Sequence, residues 1–205
     1  KNIKNDDFTA IFENYSMNND KKIEDIIKTY FLKINFIKTE KNILLDKHPL
    51  NFQWLGFMKI LFPDAKIIHC VRDLKDTAIS IYKNVFHINS IVWSNSEEDI
   101  VQYISLYLDL MSFWEKKIPN TIYKLNYEKL IENPKKQIQK LVKFCELDWE
   151  EDCLNFNEKA TPIKTVSITQ ARQAIYKTSK NSHSKYSDYS EMFNKIENLE
   201  KNYLK

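Results

Sequence analysis

The sequence predicts an α/β fold, a parallel sheet flanked by helices, on three observations. Between residues 43 and 82, short apolar runs alternate with stretches of helical periodicity. Each apolar run ends in charged residues, Asp46-Lys47-His48 in one case and Arg72-Asp73 in the other. A proline or an aspartate then stands where a helix would begin. Strand, helix, strand, helix within about 45 residues is the pattern of parallel strands joined by crossover helices.

The elements follow in order. Ile23, Ile26, Ile27, Tyr30, Phe31 and Ile34 recur at helical spacing and predict an amphipathic helix of about five turns, with Asn19-Asp20 available as its cap. Ile43-Leu44-Leu45 reads as a short buried strand. Pro49 suits the first turn of a helix carrying Phe52, Leu55, Met58 and Leu61, which Phe62-Pro63-Asp64 ends in a turn. Ala65 to Val71 is β-branched and predicts a second buried strand, in which Cys70 would pack into the core. Asp73 should cap the next helix, with Asp76 adding favourable charge to its first turn.

Farther on, Ile100, Ile104, Leu108, Met111 and Trp114 mark a long helix from Glu97. Thr121 to Leu125 is a third strand, ending at Asn126-Tyr127-Glu128. Pro134 opens a helix with Ile138, Leu141, Val142 and Cys145 on its apolar face. A short helix is expected at 150–157, a polar tract at 160–186, and a last helix at about 190–204 with Met192, Phe193, Ile196, Leu199 and Tyr203 in register.

Composition narrows the function classes. The 205 residues can bury a full core in a single domain, and 43% hydrophobic content is that of a globular chain. The 31 basic and 28 acidic residues nearly cancel, which points away from general nucleic-acid binding while leaving room for a local cationic pocket. No apolar run reaches the ~18 residues that span a bilayer, and no secretory signal is present, so a cytoplasmic, soluble chain with no membrane partner is expected. Cys70, Cys145 and Cys153 lack metal-type spacing, and no metal is expected. Metalloprotease, hydrolase-elbow and Walker-type patterns are absent; the one glycine, Gly56, falls inside a predicted helix.

Ligands of open parallel sheets bind at the carboxyl ends of the strands. If the strands are neighbours, Lys47, His48, Arg72 and Tyr127 converge on one such edge, and the helix after Arg72 aims its N-terminus there. Two cations and a helix start suggest a phosphate or sulfate ligand. The plainer alternatives are surface pairs of Lys47 with Asp46 and Arg72 with Asp73, Ser80 as an exposed filler, and His48 as a polar residue at a helix start.

Lys47-x-Pro49-Leu50-Asn51-Phe52, then Leu61-Phe62-Pro63-x-Ala65-Lys66-Ile67-Ile68-His69-Cys70-x-Arg72-Asp73, then Asp76-Thr77 and Ser80-Ile81-Tyr82 closely resemble the sulfotransferase family. The likeness continues through Tyr127-Glu128-Lys129-Leu130 with Pro134, Phe144-Cys145-x-Leu147-x-Trp149, and Thr165-x-Ser167-x-x-Gln170-x-Arg172-Gln173-x-Ile175-Tyr176, so that it covers about residues 42–189. The nearest relatives it suggests are bacterial sulfotransferases that follow tetratricopeptide repeats and are related to protein-tyrosine sulfotransferases. An upstream helical-repeat domain in the full-length protein is implied.

The resemblance implies an α/β fold of the P-loop NTPase type and transfer of a sulfuryl group from 3′-phosphoadenosine-5′-phosphosulfate to a hydroxyl or amine acceptor, a peptide, carbohydrate or small molecule. Adenosine 3′,5′-bisphosphate would be the product. By similarity Arg72 and Ser80 bind the 3′-phosphate, Lys47 contacts the sulfuryl group or its bridging oxygen, and Tyr127 and the segment from Ser167 lie beside the nucleotide. The acceptor must lose a proton, and His48 and Asp46 are the bases on hand. Relatives often carry Met where His48 stands, so that role comes from chemistry and not from the resemblance.

Two departures shape the expectation. Residues 1–41 contain no match to the family's glycine-containing 5′-phosphosulfate loop, and the chain begins at Lys1. An incomplete sulfotransferase fold, a fragment inactive without that loop, is therefore expected; the alternative is a non-catalytic module that binds the nucleotide or a partner. Near 181–183 relatives show Gly, then Arg or Lys, then Trp. Here Asn181-Ser182-His183 stand instead, with cations at Lys180 and Lys185, and Lys180 is taken as the donor-binding cation. The chain is expected to be one sulfotransferase-like domain, with a helical part at 1–40, the region of resemblance at 42–189 and a C-terminal helix at 190–204.

Overall fold

The structure is a computed structural model that describes residues 20–33, 43–84, 89–155, 175 and 180–203. It divides into two compact units at the Ala65–Lys66 boundary.

In the first unit, helix α1 spans Asp20–Lys33. Its Tyr30 and Phe31 rings lie 5.6 and 5.7 Å from that of Phe62, which gives the apolar stripe an aromatic seat. Residues 43–48 form no strand. Ile43 and Leu45 are 62% and 78% exposed, so the expected buried strand at 43–45 is not present. A strand needs a neighbour for its backbone groups, and among the described residues the only ladder is made elsewhere. The segment after Pro49 is helical in two steps, a 3-10 turn at Asn51–Trp54 and helix α2 at Leu55–Leu61. Trp54, at φ −116° and ψ 9°, breaks the continuity that the apolar spacing had suggested. Leu55 and Leu61 are buried as expected. The Phe62-Pro63-Asp64 turn is closed by the Ala65 amide on the Phe62 carbonyl at 3.0 Å.

The second unit carries the sheet. Strand β1, Ile67–Val71, pairs in parallel with β2, Ile122–Asn126, in the register Ile67↔Ile122 through Val71↔Asn126. Between them run α3, Leu74–Tyr82, a 3-10 stretch at Asn89–Asn95, and α4, Glu97–Lys117. After β2 come α5, Tyr127–Glu132, and α6, Pro134–Phe144, with Pro134 in the first turn. The chain closes with 3-10 turns at Ser182–Lys185 and Ser187–Tyr189 and with α7, Ser190–Tyr203. The expected helix at 150–157 is a single 3-10 turn, Glu151–Cys153, within the residues described. The architecture is thus helix-rich α/β with a small parallel sheet.

The core forms where α3, α4 and α7 meet. Ala78 and Ile79 of α3, Ile100 and Ile104 of α4, and Met192, Phe193 and Ile196 of α7 make one buried cluster. Each full burial of such a side chain is worth about 1.5–3 kcal/mol. On the sheet, β1 exposes Cys70, which corrects the expectation of a core thiol. Alternation along the strand puts His69 on the opposite side, against Tyr107 of α4 with Nε2 2.5 Å from the hydroxyl. Burial, with Lys124 adding to it, lowers the His69 pKa, and burial reinforced by Glu115 pushes Tyr107 up to about 12.

Among the described residues three other than glycine adopt the left-handed conformation, Asn120, Glu146 and Asn181 at φ 62°, 58° and 56°. Glu146 ends α6: its amide bonds the Lys143 carbonyl, and the Leu147 amide bonds that of Val142, both at 3.1 Å. Asn181 enters the next turn in this conformation, and asparagine is among the side chains that best tolerate this backbone region.

Candidate functional site

The site is built on the parallel register. Because Val71 lies level with Asn126, the two strands end side by side, and the next residues, Arg72 and Tyr127, meet. The Arg72 guanidinium carbon is 5.2 Å from the centroid of the Tyr127 ring, within cation–π range. Arg72 Nη2 also lies 3.9 Å from Asp76 Oδ2. The surface pair of Arg72 with Asp73 is thus replaced by a contact with the carboxylate one helical turn on. Ser80 follows Asp76 by four residues on α3, which puts it on the same side of the helix one turn farther along, half-buried.

Asp73 caps α3 as the sequence predicts, its Oδ1 accepting from the Asp76 amide at 2.8 Å. Two further amides at that helix start are also taken. The Asp73 amide donates to Glu128 Oε1 at 2.9 Å, and the Leu74 amide donates to Glu200. Burial and the nearby Asp73 push the Glu200 carboxyl above its ordinary value. This corrects the picture of an open helix N-terminus aimed at an anion. Carboxylates from three elements already answer the Asp73, Leu74 and Asp76 amides, so side chains become the main groups that could meet a phosphate here.

Asp76 is 1% exposed and is the centre of this corner. Its Oδ1 accepts from the His183 amide at 2.9 Å, from Ser182 Oγ at 3.2 Å and lies 2.7 Å from His183 Nδ1. Burial alone would raise its pKa; the His183 amide and ring outweigh that and hold the carboxyl below its ordinary value. Asp73, Asp76 and His183 have ligand atoms within 4.8 Å of one another, a spacing that could hold a metal ion, but the hydrogen bonds to Asp76 account for the grouping. Sequence reasoning missed both the Asp76–His183 pair and the Glu128 and Glu200 contacts, because they join residues far apart in the chain. The one local hint was polar chemistry at 181–183, where the family pattern departs.

The remaining predicted residues stand as follows. Lys180 is exposed and ion-paired with Glu132 of α5, which raises its pKa. Ser167 lies outside the described residues. In the first unit Lys47 and His48 are both exposed. The Leu50 amide donates to His48 Nδ1 at 3.2 Å, and the Asn51 amide donates to the His48 carbonyl at 3.1 Å, so the ring helps close the turn. A neutral ring that accepts at Nδ1 carries its proton on Nε2. Asp46 accepts from the Tyr30 hydroxyl at 2.7 Å and from Asn51 Nδ2 at 3.2 Å. Burial, reinforced by that carboxylate, pushes Tyr30 up to about 12.

Comparison with known proteins bears on this arrangement. Residues 4–151 match the family model described as "Sulfotransferase family". An uncharacterized protein of Aquifex aeolicus is 33% identical over 162 residues, 78% of this chain and 21% of the relative. Mouse sulfotransferase 1 family member D1 is 36% identical over 100 residues, 45% of this chain and 34% of its own. The omega-hydroxy-beta-dihydromenaquinone-9 sulfotransferase Stf3 of Mycobacterium tuberculosis is 28% identical over 118 residues, 54% of this chain and 30% of its own. The chain spans between a fifth and about a third of the length of these relatives. A match over most of the chain, with the Arg72–Asp73 corner inside it, places this protein in the sulfotransferase family.

Proposed function

We propose that this chain is the donor-binding part of a sulfotransferase that uses 3′-phosphoadenosine-5′-phosphosulfate and has a P-loop-type fold, the residues at hand forming part of one larger domain. The observation that carries the reading is the parallel register, which sets Arg72 beside Tyr127 at the carboxyl ends of the strands. A guanidinium set between an aromatic face and a buried carboxylate is held in a fixed orientation, as recognition of a phosphate by a planar fork requires. Ser80, on the same side of α3, would add a hydroxyl to the 3′-phosphate; Tyr127, Ser167 and Lys180 would line the nucleotide.

In the transfer step the acceptor oxygen or nitrogen attacks sulfur. The bridging S–O bond breaks, and adenosine 3′,5′-bisphosphate leaves with the electron pair. Lys47 would stabilise the charge that builds on the bridging oxygen. The acceptor proton goes to a base. His48 could serve only through the nitrogen that is not engaged by the Leu50 amide, and so after a tautomer change. The acceptor would be a hydroxyl or amine compound. A second reading, a module that binds nucleotide or partner without turnover, draws on the carboxylates that fill the α3 start and on the Lys180–Glu132 pair.

Calorimetric titration with adenosine 3′,5′-bisphosphate tests the reading. Arg72→Ala should weaken binding at least about tenfold, or ~1.4 kcal/mol. Unchanged affinity would remove Arg72 from the site. In the full-length protein Lys47→Ala should abolish sulfate transfer and leave nucleotide affinity in place, whereas a wild type that binds nucleotide and turns over no acceptor supports the second reading.

A further inference from the structure

We propose that His183 is a positioning residue, clasped to Asp76 so that the 180–185 segment is set against α3 for the 3′-phosphate of the nucleotide; this rests on the donor-binding reading above. One carboxylate joins the two halves of the corner. Oδ2 of Asp76 faces Arg72 Nη2 at 3.9 Å, while Oδ1 takes the Ser182 hydroxyl and both the amide and the ring nitrogen of His183. The guanidinium and the segment are therefore registered to each other through a single buried group.

Besides the clasp, the segment is held by the Lys180–Glu132 ion pair at its start and by Tyr186, packed against the core, at its end. It is a four-residue 3-10 turn, Ser182–Lys185, entered through the left-handed Asn181. Ser182, Ser184 and Lys185 are polar, and within the turn the ring of His183 meets Phe193 of the core at 5.6 Å between centroids. A buried carboxylate is stable when it is fully paired, so Asp76 and the segment depend on each other. Asp73 Oδ1, 3.6 Å from His183 Nδ1, adds a second negative group on the same side of the ring.

The test uses the 205-residue chain, His183→Ala and His183→Asn, whose side-chain amide nitrogen occupies nearly the position of Nδ1. Three quantities are read: hydrogen exchange over 181–186 without ligand, thermal midpoint, and calorimetric affinity for adenosine 3′,5′-bisphosphate and for adenosine 5′-monophosphate. His183→Ala should speed exchange in the segment and weaken the bisphosphate about tenfold, with the monophosphate unchanged, and His183→Asn should restore both to within about twofold. The proposal is overturned if His183→Ala keeps wild-type exchange and discrimination, if both nucleotides weaken equally, or if His183→Asn fails to rescue in a variant that melts like wild type. A wild type that binds neither nucleotide overturns the donor-binding reading and the positioning role with it. A wild type that discriminates while the variants match it sinks the clasp alone.

Discussion

Two charged corners carry the candidate chemistry, and they are built differently. Arg72-Asp73 follows a paired strand, caps a helix and is tied by Asp76 to a distant segment. Asp46-Lys47-His48 follows an extended, exposed stretch and is held by a turn, with a tyrosine hydroxyl on Asp46 and a backbone amide on His48. The first arrangement orients a side chain to within the tolerance of a packed core. The second leaves Lys47 on an exposed loop.

The contrast can be broken experimentally, most strongly at its foundation. Ile100 is fully buried under α3, and Ile100→Ala should cost about 2–5 kcal/mol in urea unfolding. A smaller loss would mean that the corner does not rest on that core. Next in size is an acid effect. Asp76 has a depressed pKa in the folded chain, so its contribution is fully present above its unfolded value and disappears as pH falls through the lower folded one. Stability of wild type should therefore drop more steeply below about pH 4 than that of Asp76→Asn, and parallel acid melts would refute the linkage.

Asp73→Ala should cost about 0.5–2 kcal/mol through the lost cap, read from the thermal midpoint. The smallest effect belongs to the other corner. Leu45→Ser should change stability by less than about 0.5 kcal/mol, because the side chain is already in water. A loss above ~1 kcal/mol would show that Leu45 is packed, and the contrast between the corners would fail.

These results also show where the sequence is readable. β1, the Asp73 cap, Pro134 at a helix start and the α7 stripe depend on neighbours within a few residues, and all four occur as expected. Ile43-Leu44-Leu45 has the same apolar signature as a buried strand, but strand formation is decided by a partner that no local pattern reveals. Cys70 fails for a related reason: what covers a face of a strand is set by packing from distant parts of the chain, and the face of β1 that carries Cys70 is exposed. Of the four residues expected to converge on one strand edge, Arg72 and Tyr127 meet there because the strands are parallel neighbours. The Asp76–His183 bond spans 107 residues and has no counterpart in spacing or periodicity.

The left-handed residues have a consequence for the unfolded chain. A side chain in that backbone region costs roughly 1–2 kcal/mol relative to glycine in the folded state. Glycine, however, gives the denatured ensemble more freedom to lose on folding, by about 0.5–1 kcal/mol. By using Asn120, Glu146 and Asn181 where glycine would be easiest, this protein accepts native strain in return for a stiffer denatured ensemble. Its turns are thus encoded partly in what the chain is prevented from doing before it folds.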